Sequence, residues 1–226
     1  MEIIFILYKP GVPGNIGASA RALKTMGFDK MRLIRPCNHL TDEAFMLAHG
    51  SLDILKSSEV YDSFIDAVRD IDILTGTTAK DRTIKKDYIK PSELKDQIAS
   101  KFELVQKAGI IFGTEESGLP NEILAHCDLV STIPMKTNYP SLNLSQAVML
   151  YAYELAEVNK ASLSREDFGN INFAGIKENI CLLMKKAGIP EQMPIYHRIL
   201  ERISLLSTDD LKLVQSVVSR LIRKKE

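Results

Sequence analysis

Five short runs of β-branched and aliphatic residues punctuate the chain: Ile3–Leu7, Met31–Ile34, Ile71–Thr75, Ile110–Phe112 and Leu129–Ile133. Continuous apolar runs of this length suit strands buried on both faces. Between them apolar positions recur at helical spacing, over Ala18–Met26, Phe64–Arg69, Pro91–Ser100 and Leu144–Val158, the first closed by Gly27. Strand alternating with helix predicts an α/β fold: a mostly parallel sheet with helices on both faces. Ligands of such sheets sit beyond the carboxyl ends of the strands, so the loops there are where chemistry is sought.

After Val158 the pattern changes. Residues 159–167 are polar and aperiodic, which predicts a linker over 159–172 between a domain of 1–158 and an extension of 173–226. In the extension, Ile176, Ile180, Leu183 and Met184 share one helical face. A second helix starting near Pro194 turns Ile195, Ile199, Ile203 and Leu206 inward. A third is capped at Ser207 or Thr208, carries Asp209 and Asp210 in its first turn, and buries Leu211, Val214, Val218, Leu221 and Ile222. About 50 residues make a marginal core, so the extension is expected to lean on the main domain or on a second subunit.

Charge refines this picture. The 29 basic and 29 acidic residues cancel, but unevenly: Lys80, Arg82, Lys85, Lys86 and Lys90 crowd one segment against only Asp81 and Asp87. Residues 173–226 carry ten Lys or Arg against six Asp or Glu. Both regions are candidate contacts for a polyanion, although a solvated surface explains charge alone equally well. Cys37, Cys127 and Cys181 are too scattered for a zinc site or a disulfide framework, and His39, His49, His126 and His197 show no ligand spacing. No metal is expected. The apolar start, Met1–Leu7, is too short for a secretory segment, and nothing approaches the roughly 20 apolar residues of a membrane span. The expected location is the cytoplasm.

Three loops carry candidate chemistry. Gly11-Val12-Pro13-Gly14-Asn15-Ile16-Gly17 follows the first strand and enters a helix, superficially a phosphate cradle. Its glycines are spaced differently from a dinucleotide fingerprint, and Arg35 ends the second strand where a ribose-binding acid would stand. An NADP-binding oxidoreductase stays open as a remote alternative. Gly17 and Arg21 share a helical face, so that Arg21 can lean back over the loop, whereas Ile16, Ala20 and Leu23 point to the core. The second loop is Gly113-Thr114-Glu115-Glu116-Ser117-Gly118-Leu119, with Pro120 opening a helix; its glycines allow close approach or positive φ, and Glu115 sits at a strand end. The third runs from Ile133-Pro134-Met135 through Lys136-Thr137-Asn138-Tyr139-Pro140 to Ser141-Leu142-Asn143-Leu144-Ser145-Gln146-Ala147, where Ser141 or Asn143 can cap the long helix.

Together these segments resemble the SpoU family of RNA 2′-O-ribose methyltransferases, within the SPOUT superfamily. Asn15-Ile16-Gly17 with Arg21 looks like its first motif, Phe112–Leu119 its second, and Ile133-Pro134-Met135 with Ser141–Ala147 its third. The likeness covers about residues 1–158. Ala20–Gly27 and the C-terminal helical extension point to the TrmJ-like branch, as does Thr137–Pro140 in place of a glycine common elsewhere in the family.

The resemblance implies a trefoil knot, with the Ser141 loop passing through the chain near Gly113, and a homodimer around the first and last helices of the main domain. It implies S-adenosylmethionine held by backbone around Thr77, Thr78, Ala79, Gly113, Gly118, Ile133, Pro140, Ser141 and Leu142. The substrate would be structured RNA, tRNA before rRNA, with nucleotide 32 of the anticodon loop as target. Catalysis would rest on Arg21, with Asn15, Glu115, Ser141 and Asn143 orienting it and the loops. A guanidinium with pKa above about 12 is a poor base, so Arg21 is expected to clamp an RNA phosphate. Lys80, Arg82, Lys85, Lys86, Arg220 and Arg223 are the further RNA contacts expected, with Lys185, Lys186, Arg198 and Arg202 beside them. A non-catalytic RNA-binding protein of the same fold is the competing expectation.

Overall fold

The structure is a computed structural model and describes residues 1–79, 87–136, 142–160 and 172–223. Its strands are β1 (Glu2–Tyr8), β2 (Met31–Ile34), β3 (Glu59–Tyr61), β4 (Ile73–Thr77), β5 (Tyr88–Ile89), β6 (Lys107–Phe112) and β7 (Leu129–Ser131). Among the described residues they form one seven-stranded sheet, in the order β3-β2-β1-β6-β4-β7-β5. Every pairing is parallel, so all strands end at the same edge. Along β1, Ile3, Phe5 and Leu7 enter one core and Ile4 and Ile6 the other, which is why the run is apolar without alternation.

The larger core lies under α1 (Pro13–Thr25), α5 (Pro91–Ala99), α7 (Leu144–Lys160) and the extension; the smaller lies under α4 (Phe64–Val68) and α6 (Asn121–His126). Ile16, Ala20 and Leu23 of α1 are buried as their spacing predicts. The helix begins at Pro13, five residues before the apolar pattern shows it, because Gly14 and Gly17 belong to the helix and not to a loop. Gly17 lies against the backbone of α2 (Asp42–Ala48), which α3 (Leu52–Lys56) follows: a Cβ there would stand 2.1 Å from the Ala44 carbonyl oxygen. Its missing side chain admits a crossing helix.

Strand β4 runs two residues beyond Ile71–Thr75. The Asp72 carboxylate accepts from the amides of Gln106 (2.7 Å) and Lys107 (2.9 Å), so the ladder starts at Ile73. It continues through Gly76, where a Cβ would meet Cys127 Sγ at 2.8 Å. β3 and β5 escape the sequence pattern because they are short edge strands, and edges are polar by necessity. β1 and β2 end unusually: Lys9 (φ 47°) and Arg35 (φ 44°) adopt left-handed backbone, which costs a residue with a Cβ roughly 1 kcal/mol or more.

The extension comprises α8 (Phe173–Lys186), α9 (Pro194–Ser204) and α10 (Thr208–Arg223). It is continuous with the main core: Phe173, Ile176 and Leu211 are fully buried there, and the Phe173 amide donates to the Leu104 carbonyl at 2.9 Å. Lys177 pairs with Asp128 at 2.8 Å, whose carboxylate also accepts from the Leu74 amide. Two inward assignments are corrected. Ile195 is exposed because it lies about 80° around the helix from Ile203. Leu221 is exposed because it falls on the flank of Leu213 and Val217, away from Leu211 and Val218.

Candidate active site

Three loops converge where β1, β6 and β7 end. The loop after β6 folds on itself: Thr114 and Gly118 exchange backbone hydrogen bonds (3.2 and 3.0 Å), and Gly118 takes φ 71°. Gly113 is required by this turn, since a Cβ would stand 2.0 Å from the Gly118 carbonyl carbon. The close approach at Gly113 is to the chain itself, in the turn that also forms part of the pocket wall. Thr114 Oγ1 accepts from the Ser117 amide at 3.2 Å, and the turn carries Glu115 back across the end of β1.

There the Glu115 carboxylate accepts from the amides of Gly11 (3.0 Å) and Val12 (3.3 Å) and from Asn15 Nδ2 (3.0 Å). Burial alone would raise its pKa, but the Asn15 amide and the surrounding backbone N–H groups outweigh burial and hold it below the usual carboxylate value. The amides that would cradle a dinucleotide phosphate are thus occupied by the protein's own carboxylate, which removes the NADP reading.

Asn15 is shared. Its Oδ1 accepts from Asn143 Nδ2 at 2.9 Å. Asn143 also caps α7: its Oδ1 accepts from the Ser145 amide (2.9 Å), while Gln146 Oε1 accepts from the Asn143 amide (3.3 Å), a reciprocal box. Capping and loop joining are therefore one residue's work. Glu115, Asn15 and Asn143 link all three loops into one network.

Beside it lies a pocket of about 170 Å³ at the ends of β4, β6 and β7. Thr77, Thr78, Ala79, Gly113, Gly118, Ile133 and Leu142, all expected to hold the cofactor, line it. Pro140 and Ser141, the remaining two, lie outside the described residues, as does the segment said to form the knot crossing. Sequence reasoning missed Leu144, Ala147 and Tyr151, whose i, i+3, i+7 spacing puts them on the pocket face of α7. It also missed Phe112, against which Tyr151 packs edge-on at 5.4 Å. The lining includes Glu115 and Glu116 but, among the described residues, no Lys or Arg.

Arg21 stands apart from the network. It is exposed on α1, and among the described residues no hydrogen bond or ion pair engages its side chain. The Asn15–Glu115–Asn143 network orients loops, not Arg21. Lys80, Arg82, Lys85 and Lys86 lie outside the described residues, as does the side chain of Arg223; Arg220 is exposed on α10. Arg198 and Arg202, expected to face phosphate, are instead turned onto protein: Arg198 pairs with Asp87 (2.7 Å) and Glu201 (2.8 Å), Arg202 with Asp87 (3.2 Å). Among the described residues no His, Cys, Asp and Glu cluster is disposed to hold a metal, and no helix is long and apolar enough to cross a membrane.

A family model described as the SpoU rRNA Methylase family matches residues 2–153. The chain is 33% identical over 219 residues, 96% of each chain, to a protein of Escherichia coli named an uncharacterized tRNA/rRNA methyltransferase, LasT. It is 34% identical over 177 residues, 73% of this chain and 76% of the other, to the tRNA (cytidine-2′-O-)-methyltransferase TrmJ of Methanocaldococcus jannaschii. A solved structure of a probable methylase family protein from Haemophilus influenzae superposes with a TM-score of 0.67 at 29% identity, covering 99% of this chain and 98% of that one.

Proposed function

Because the chain belongs to the SpoU rRNA methylase family, we propose that it methylates a ribose 2′-hydroxyl of tRNA, using S-adenosylmethionine. The observation that carries this is the Glu115–Asn15–Asn143 network, which locks the three motif loops beside the pocket. The pocket fits the cofactor chemically. A dinucleotide would bring phosphates to a wall with two carboxylates and no described cation, whereas S-adenosylmethionine is a net cation, its sulfonium and ammonium outweighing one carboxylate, with an uncharged nucleoside. Phe112, Ile133, Leu142, Leu144 and Ala147 supply apolar surface for the nucleoside, and Thr77, Thr78 and Ser117 supply polar groups at the rim.

When bound, the cofactor supplies an electrophilic methyl group. The protein's task is to align the ribose oxygen with it and to hold water off. Glu115 and Asn143 fix the loops on either side. Arg21, exposed and unengaged by the described residues, takes an RNA phosphate through a bidentate contact and so places the ribose; a phosphate oxygen is the proton acceptor in this reading. Exposed apolar side chains on α2 (Met46, Leu47) and α7 (Leu150, Tyr153), helices that both pack on α1, fit a homodimer face there. In this reading the enzyme works in the cytoplasm and its target is nucleotide 32 of the anticodon loop, the expectation that the TrmJ-like resemblance supports. The test is mass spectrometry of tRNA from a strain lacking the gene. Loss of one 2′-O-methylnucleoside at position 32, restored by the gene, supports the reading; unchanged tRNA with a lost rRNA methyl would move the substrate to rRNA.

A further inference from the structure

We propose that Lys9 and Arg35 form a second phosphate clamp for the RNA strand, next to the loop that carries Asn15 and Glu115; the proposal rests on the tRNA reading above. Tyr8 and Ile34 are register partners in parallel β1 and β2, so Lys9 and Arg35 are the next pair along. Their amides continue the ladder, Lys9 donating to the Ile34 carbonyl at 2.7 Å and Arg35 to the Tyr61 carbonyl at 2.9 Å. Neighbouring strands lie roughly 4.8 Å apart, close enough for two long cations to share one phosphate group.

Both side chains are exposed, and among the described residues neither pairs with a carboxylate. Lys9 Nζ lies 5.3 Å from the Tyr8 ring centre, and Arg35 donates Nε to the Asp62 carbonyl, while among the described residues its terminal nitrogens make no hydrogen bond. Elsewhere in the sheet cations are neutralised: Arg32 and Lys107 both pair with Asp70.

The backbone sharpens the point. Both residues sit at positive φ, where glycine or asparagine is conformationally cheapest, yet both positions carry a cation. The location is at the site: Lys9 is two residues before Gly11, whose amide Glu115 holds, and Cys37, two after Arg35, donates its amide to the Pro10 carbonyl at 3.0 Å. A small phosphate ligand would seek the amides at the start of α1, which Glu115 fills. The clamp therefore fits a phosphate presented by a polymer backbone.

The experiment measures binding of bulk tRNA at several KCl concentrations by the full chain and by Lys9→Gly, Arg35→Gly and the double variant, with thermal stability and S-adenosylmethionine affinity alongside. Each single variant should lose several-fold in tRNA affinity. The double variant should flatten the slope of log K against log salt by about one, the signature of one lost phosphate contact. Glycine relaxes the left-handed backbone, so melting temperatures should hold or rise, and cofactor affinity should stay unchanged. Arg35→Lys should retain the slope, and Lys30→Ala, at the opposite edge of the sheet, should change nothing. Unchanged tRNA affinity and slope in the double variant would overturn the clamp, as would a loss that tracks falling stability or that appears equally for NADPH or inorganic phosphate. A wild type that binds no tRNA would sink both readings; one that binds with this cation dependence but transfers no methyl group would sink only methylation.

Discussion

Asn143 Nδ2 donates to Asn15 Oδ1 at 2.9 Å, joining residues 128 positions apart, while the same Asn15 donates to Glu115. An amide is the one side chain of this size that gives to a carboxylate and accepts from a second amide at once. Asn15→Asp should therefore be worse than Asn15→Ala, since it sets a carboxylate against Glu115. Calorimetry should show cofactor affinity falling at least tenfold in Asn15→Asp, and partial recovery in Asn15→Asp with Glu115→Gln, whose new amide can donate to Asp. Equal loss in both Asn15 variants would deny the network its role.

Glu115 gives this network a pH dependence. Its folded pKa is lowered below the ordinary value of 4.5, so its contribution is fully present above that value and is lost as pH falls through the lower, folded one. Stability measured by denaturant between pH 6 and pH 3 should fall more steeply in the wild type than in Glu115→Gln. Parallel curves would show that the carboxylate is not held as described.

Gly113→Ala should destabilise the protein without any ligand, by about 1–3 kcal/mol, because the added methyl meets the Gly118 backbone at 2.0 Å. Chemical denaturation of the ligand-free variant checks this. A variant of normal stability that failed only to bind cofactor would restore the view of Gly113 as a ligand contact.

Lys101 is fully buried with Gln97 as its hydrogen-bond partner, and burial pushes its pKa down to about 8. The unfolded chain holds this proton until about pH 10.4, so stability should rise between pH 8 and that value. Lys101→Met, close in length and apolar, should raise the melting temperature at pH 7 by several degrees and remove the rise. A destabilised Lys101→Met would mean that the ammonium has a partner role.

Removing residues 172–226 should harm more than RNA binding. Phe173 and Ile176 are core residues and Lys177 neutralises the buried Asp128, so truncation should lower the melting temperature by ten degrees or more and loosen cofactor binding with it. Arg220→Glu, on an exposed face of α10, should reduce tRNA affinity in a stable protein; Arg198→Ala should instead lower stability, because its partners are Asp87 and Glu201. Intact stability after truncation would deny the extension its part in the main core.

What the sequence made legible follows its physics. Strand runs buried on both faces leave a continuous apolar signal; Ile3–Leu7 and Met31–Ile34 were readable to within a residue, whereas the bounds of β4, β6 and β7 were off by two or three. Motif loops were readable because several unusual residues coincide at strand ends, and seven of the expected pocket residues line one cavity. Gly17 and Gly113 were only half legible because a glycine reports that something comes close without saying what: both meet backbone of the same chain, and Gly113 lines the pocket as well. Arg198 and Arg202 misled because charge along a sequence does not reveal Asp87, more than a hundred residues away, as their partner.

The central claim is methyl transfer to ribose, and one measurement addresses it directly. Purified protein is incubated with methyl-labelled S-adenosylmethionine and tRNA transcribed without modifications, and the RNA is digested to nucleosides for mass spectrometry. The account predicts label in a 2′-O-methylnucleoside with the wild type, and none with Arg21→Ala although that variant binds S-adenosylmethionine within a few-fold of normal. Label on a base, full transfer by Arg21→Ala, or no transfer by a protein that binds both cofactor and tRNA would contradict it.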